Sequence, residues 1–219
     1  MAMDLGTVDH LLTTTRSVRK RLDFTKPVDP AVIEKCLEIA FQSPTGSNQQ
    51  GWGCVAVTDA AKRKVIADHY RTAFKLYLEN PPQPPTYGED DIRFGQLPRV
   101  VDSASYLAEH MHEAPLFLIF TIQGRVEEGG VMMQASIYGS VLPAAWSFML
   151  AARARGLGSA WTTLHLMYEK EISTLLGIPD DITQTVLIPV AHYTGTDFKP
   201  AKRIPSTEIT HWDSWGKRR

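Results

Sequence analysis

Residues 131–155 are apolar on nearly every side of a helix, through Val131, Met132, Met133, Ile137, Val141, Leu142, Trp146, Phe148, Met149 and Leu150, and the stretch stops at Gly156, a good C-cap. No polar stripe remains for water. Such a helix is expected to be buried all round. Residues 115–123 (PLFLIFTIQ) are a run of apolar and β-branched residues, the pattern of a strand buried on both faces and hence of a sheet centre.

Elements of both kinds alternate around these two. Asp29-Pro30 offers an N-cap and a first-turn proline to a helix over 31–42, with Val32, Ile33, Leu37, Ile39, Ala40 and Phe41 as its apolar residues. Residues 53–58 read as a short buried strand, and Asp59 can cap a long helix through Leu78 that must end before Pro81-Pro82. The segment 80–96, with Pro81, Pro82, Pro84 and Pro85, Gly88 and the acidic run Glu89-Asp90-Asp91, reads as a surface excursion, with a lid as one role for it. Helical spacing returns over 97–111 and 168–176, and strands are expected at 158–163 and 185–193. At 219 residues the chain suits one domain, since single cores grow to roughly 200–250 residues. The order implies a layered α/β or α+β domain with helices on both faces of one sheet. The tail, 196–219, is polar yet keeps Ile204, Ile209, Trp212 and Trp215, apolar anchors that packing onto a second subunit would bury.

Charge and composition exclude several classes. Twenty-three Lys plus Arg against 24 Asp plus Glu leave a formal charge of -1, so no overall field draws nucleic acid or an anionic membrane, and any anion site must be local. The stretches 114–122 and 141–152 fall short of the ~20 residues of a membrane helix, so no span is expected. The first 15 residues lack a basic region and an apolar core, so no secretory signal is expected. Cys36 and Cys54 form no CxxC pair and read as core thiols in a reducing, cytoplasmic setting. His110 and His112 are two apart and do not share a helical face, which disfavours a metal site. His165 and His192 read as core histidines. No GxxxxGK loop, GxSxG elbow or HExxH helix occurs.

Three segments could carry chemistry, each with a plain alternative. Arg16-Ser17-Val18-Arg19-Lys20-Arg21, placed at the end of the first helix, offers four cations and a hydroxyl to a phosphate monoester, or is a solvated charge run; Lys199, Lys202 and Arg203 could converge on the same phosphate or be exposed. Residues 43–52 (SPTGSNQQGW) present amides from irregular backbone that could read an imide-like ring, or form an ordinary polar loop. Residues 156–163 (GLGSAWTT) let a strand approach a flat ligand, although a GxG alone is a weak signal.

Taken in order, Arg16-Ser-Val-Arg19, the 43–52 loop, Ala114-Pro115 before a strand, residues 156–161 and Lys202-Arg203-Ile-Pro205 resemble the nitroreductase-like flavin mononucleotide (FMN) proteins, over about residues 8–215. The resemblance implies an α+β, three-layer α/β/α fold with a central mixed, mainly antiparallel sheet, and an intertwined homodimer with FMN at the interface. It further implies that Arg16, Ser17 and Arg19, with Lys202 and Arg203, hold the phosphate and pyrimidine edge. Arg19 would then stabilise the anion of the reduced flavin. Pro44, Thr45, Gly46, Ser47 and Asn48 match the loop that packs on the flavin from the partner subunit, with Gln50 reaching the same region. Thr162, Thr163, Leu164 and His165 match the segment whose backbone N–H meets flavin N5. The region 80–112 corresponds to a substrate-covering lid, with Tyr87, Phe94 and Tyr106 as aromatic candidates, and 196–219 to an arm on the partner. NAD(P)H is the implied co-substrate and a nitroaromatic or quinone the implied acceptor. A flavin-storing protein, a dehalogenase or a flavin-degrading enzyme are the alternatives. One departure stands out: Thr15 precedes Arg16 where many relatives carry a second arginine, so that cation must come from Arg16, Arg19 or the tail.

Overall fold

The computed structural model describes residues 3–81, 87–196 and 198–219. Five strands form one sheet: β1 (Leu22–Asp23), β2 (Trp52–Val57), β3 (Leu116–Gln123), β4 (Leu157–Ser159) and β5 (Ile182–Tyr193). The path is β1-β5-β3-β2, with β4 also paired to β5. Every pairing among these strands is antiparallel. The mixed character that the resemblance implies is therefore not seen among the described residues.

The 115–123 run behaves as its composition requires. Along β3, Leu116, Leu118, Phe120 and Ile122 enter one core, while Phe117 and Ile119 enter the other. The first core is covered by α2 (Pro30–Ala40) and α5 (Gly130–Arg153). The second is covered by α3 (Ala60–Glu79), α4 (Leu97–His110) and α6 (Glu169–Leu176). The result is α+β in three layers. Caps fall where the sequence puts them: Asp29 accepts from Ala31 N and Asp59 from Lys62 N, both at 2.9 Å, and Gly177 ends α6 at φ 70°.

Four expectations need correction. The first helix, α1 (Leu5–Thr14), stops before the basic run, so Arg16 is not helical. Thr13, Thr14 and Thr15 each donate a hydroxyl to a carbonyl four residues back, at 2.6–2.7 Å, and these local bonds compete with continued helix. The strand expected at 158–163 is only three residues long; beyond it Thr162 makes a single bridge to Leu187. The strand expected at 185–193 begins earlier, at Ile182. Finally, α5 is not covered all round. Val141, Ala144, Ala145, Phe148 and Met149 are buried on the sheet, but Val131 and Met132 are 86% and 85% exposed, because nothing among the described residues lies over that end. At 24 residues α5 is long and apolar enough, by length and composition, to cross a membrane, more so than the shorter stretch read from sequence. Its contact with the sheet makes it a core helix here. Pro82, Pro84 and Pro85 of the excursion lie outside the described residues.

Candidate functional site

Residues 16–19 have no regular secondary structure and lie beside β4. Val18 N–H donates to Ser159 O (2.8 Å), and Trp161 N–H donates to Ser17 Oγ (3.2 Å). Two segments 140 residues apart in the sequence pattern, the basic run and the GLGSAW stretch, are thereby locked side by side. Gly158 permits the approach: a Cβ there would meet Leu22 Cδ2 at 2.9 Å and Val18 Cβ at 3.2 Å. Beyond Trp161, Thr162 is buried and bonds Leu187 O through both N–H and hydroxyl, at 3.0 and 2.7 Å. Thr163 is exposed, and Leu164 opens a 3-10 turn, Leu164–Tyr168. The leading N–H groups of such a turn have no acceptor within it.

His165 faces the other way. It is 0% exposed, neither ring nitrogen has a hydrogen-bond partner among the described residues, and burial depresses its pKa to about 3. Its imidazole is thus a neutral core group, and within 162–165 only Thr163 is exposed, with Leu164 half-buried.

Arg16 meets the far end of the chain. With Thr13, Thr15, Trp146, Pro200 and Arg203 it lines a cavity of about 360 Å³. Two guanidinium groups on one small cavity suit a phosphate-sized anion, since arginine forks match its oxygens. Lys202 does not line this cavity; it lies with Tyr87 on a neighbouring one of about 560 Å³, which Arg203 also borders. Lys199 is exposed.

Arg19 is half-buried and donates to Ser103 Oγ on α4 (3.2 Å). Burial lowers its pKa, with Tyr70 close enough to oppose the shift; burial of Tyr70 raises its own pKa to about 12. No carboxylate partner for Arg19 occurs among the described residues. A partly desolvated cation lacking a counter-charge is suited to an anionic ligand atom. Next to it, Lys20 pairs with Asp102 at 2.6 Å, a second tie to α4.

The 43–50 loop is not brought to this place. It packs on α5: Gly46 N–H donates to Ser140 Oγ (3.1 Å), and a Cβ on Gly46 would stand 2.7 Å from Ser136 Oγ. Thr45, Gly46 and Ser47 line a cavity of about 200 Å³ that shares no residue with the Arg16 cavity. Pro44, Asn48 and Gln50 are exposed. Ser47, Asn48 and Gln50 all sit at φ 52–54°, a left-handed conformation that costs non-glycine residues roughly 1–2 kcal/mol each. Gln50 N–H to Thr45 Oγ1 (3.0 Å) and Gln50 Nε2 to Asn48 Oδ1 (3.1 Å) hold it. Strain stored in an exposed loop marks a segment shaped for a contact.

The excursion divides too. Tyr87 faces the basic tail across the 560 Å³ cavity, Phe94 is exposed, and Tyr106 stacks on His110 at 4.4 Å. Sequence reasoning missed Trp146, Ser103, Tyr70 and the Ser136/Ser140 pair. Only the last left a local signal, two hydroxyls four apart in a largely apolar helix.

The nitroreductase family profile matches residues 12–192. This chain belongs to the nitroreductase family. Among curated relatives, a chloronitrobenzene nitroreductase of Comamonas testosteroni is 28% identical over 193 residues, 80% of this chain and 81% of its own length. A 5,6-dimethylbenzimidazole synthase of Rhodospirillum rubrum is 29% identical over 178 residues, 78% and 75% of the two chains. Among solved structures, an FMN and NADPH-dependent nitroreductase from Sphigopyxis sp. strain HMH superposes with a TM-score of 0.70 at 21% identity, over 94% of this chain and 99% of that one. The nitroreductase fold is thus shared.

Proposed function

We propose that the chain is an FMN-dependent oxidoreductase that carries hydride from NAD(P)H to a small electron-poor acceptor such as a nitroaromatic or quinone. The observation that carries this reading is the convergence of Arg16 and Arg203, from opposite ends of the chain, on one cavity next to the Ser17–Trp161 bond. Bound FMN would supply the redox chemistry, accepting hydride and passing electrons on.

The chain's own residues bind and orient. Arg16 and Arg203 neutralise the phosphate, with Arg203 covering for the arginine that Thr15 replaces. Ser17 fixes Trp161, and with it the segment whose N–H groups at Thr163, just before the turn, and Leu164, its first residue, would face the ring. Arg19, held by Ser103, presents an uncompensated charge to the pyrimidine edge, where negative charge grows on reduction. No side-chain acid or base is needed. A second copy completes the site: its strained 44–50 loop reaches the ring from the partner, and the dimer covers Val131, Met132 and Trp215, each at least 85% exposed in one chain. The similarity to a 5,6-dimethylbenzimidazole synthase favours a second reading in which FMN is consumed rather than recycled. In that case bound FMN falls during turnover.

Titration of FMN into the protein, read by quenching of flavin fluorescence, tests the site. Arg16→Ala and Arg203→Ala should each weaken binding by about tenfold or more, the loss of a charge-assisted bond. Unchanged affinity in both variants would refute the placement.

A further inference from the structure

The 560 Å³ cavity has chemistry of its own. Tyr87, Leu97, Val100, Ile204 and Ile209 give it apolar walls, and Lys202 and Arg203 stand at one side; no acidic residue lines it among the described residues. The third cation, Arg93, is already spent. It pairs with both Asp91 oxygens, at 2.8 and 2.7 Å, and lies 4.3 Å over the Tyr87 ring, fixing that ring as a flat wall. Lys202 and Arg203, by contrast, have no carboxylate partner among the described residues, and Arg203 spends one N–H on the Lys202 carbonyl (3.2 Å). With Arg203 given to the phosphate, Lys202 is left as an exposed cation at the rim of an apolar slot, a combination that suits a flat ring carrying an anionic group.

Position ties this slot to the flavin cations. Leu97 and Val100 line it from α4, and Ser103, one further three-residue step along the same helix, holds Arg19. On the opposite side, Arg203 borders both this slot and the Arg16 cavity. The slot therefore adjoins the Arg16 cavity through Arg203 and shares α4 with the residue that holds Arg19.

We infer that it is the acceptor site and that it selects aromatic acids, with Lys202 as the residue that reads the carboxylate. This rests on the proposed FMN-dependent activity and narrows its substrate class. A nicotinamide nucleotide also offers a ring with anionic groups, so the test separates the two sources.

The probes are 4-methylbenzoate and the uncharged, similarly shaped 4-methylbenzamide, titrated by calorimetry into the protein before and after FMN loading. The acid should bind at least about fivefold more tightly than the amide, Lys202→Met should abolish the difference, and Lys202→Arg should retain it. In turnover, Lys202→Met should raise KM for 4-nitrobenzoate several-fold, leaving KM for nitrobenzene and for NAD(P)H within twofold. Equal binding of acid and amide, or a preference that survives Lys202→Met, overturns the inference; so does a rise confined to KM for NAD(P)H, which would give the slot to the nucleotide. Flavin absorbance is read in the same sample. Normal FMN loading without acid preference defeats only this inference, whereas failure to load FMN defeats the oxidoreductase reading itself.

Discussion

Acidification from pH 7.5 to 5.0 should destabilise the fold by about 2 kcal/mol through one residue, His165. Its folded pKa is about 3, against the usual 6.5, with burial as the cause. Above pH 6.5 the imidazole is neutral in both folded and unfolded chains, and no penalty exists. Below 6.5 the unfolded chain takes up a proton that the folded chain refuses, so stability falls by about 1.4 kcal/mol per pH unit until the folded group itself titrates near 3. The carboxylates whose pKa values are lowered, such as Asp59 and Asp68, also lose stability on acidification. Their usual value is 3.8, so their losses fall mainly below this window. Urea unfolding at half-unit steps, on the wild type and on His165→Leu, isolates the effect. The leucine variant should lose most of the slope between 6.5 and 5.0 while remaining folded at pH 7.5. Equal slopes in the two proteins would refute the argument that a neutral, unpartnered imidazole is what the fold demands.

Gly158→Ala should cost about 1–3 kcal/mol and weaken FMN binding together, because the added methyl pushes on Leu22 and Val18, which hold the basic segment against β4; thermal unfolding and flavin titration check both. Phe120→Ala, at a position with no exposure in the core between sheet and α5, should cost roughly 3–5 kcal/mol in denaturant unfolding. Met132→Glu should shift the sedimentation coefficient toward a single chain and reduce FMN affinity, if the exposed end of α5 is where a second copy packs.

Residues whose surroundings are local, or whose pattern is unambiguous, could be read in advance. The 115–123 run is β3 because apolar residues at every position leave only a strand with two covered faces, and α2, α3 and α6 begin or end at the very residues, Asp29, Asp59 and Gly177, whose side chains or backbone freedom make caps. The end of α1 was misplaced because three consecutive threonines turn their hydroxyls onto the preceding turn, a competition that hydrophobic spacing does not reveal. Coverage of α5 was misjudged for another reason: apolarity says that a face needs covering, not which chain covers it. At the site, Ser17 bonds Trp161 and Arg16 shares a cavity with Arg203, but Lys202 parts from Arg203, and Ser103, Tyr70 and Trp146 are contributed by helices whose arrangement no local pattern encodes.

Anaerobic addition of NADH or NADPH to the purified protein, followed by its visible spectrum, addresses the flavin chemistry most directly. A bound-flavin spectrum that bleaches with one or both nucleotides and returns on addition of a nitroaromatic or quinone is the expected result. A flavin that stays oxidised would contradict hydride transfer from NAD(P)H, and a protein that takes up no FMN would contradict the site built from Arg16, Arg19 and Arg203.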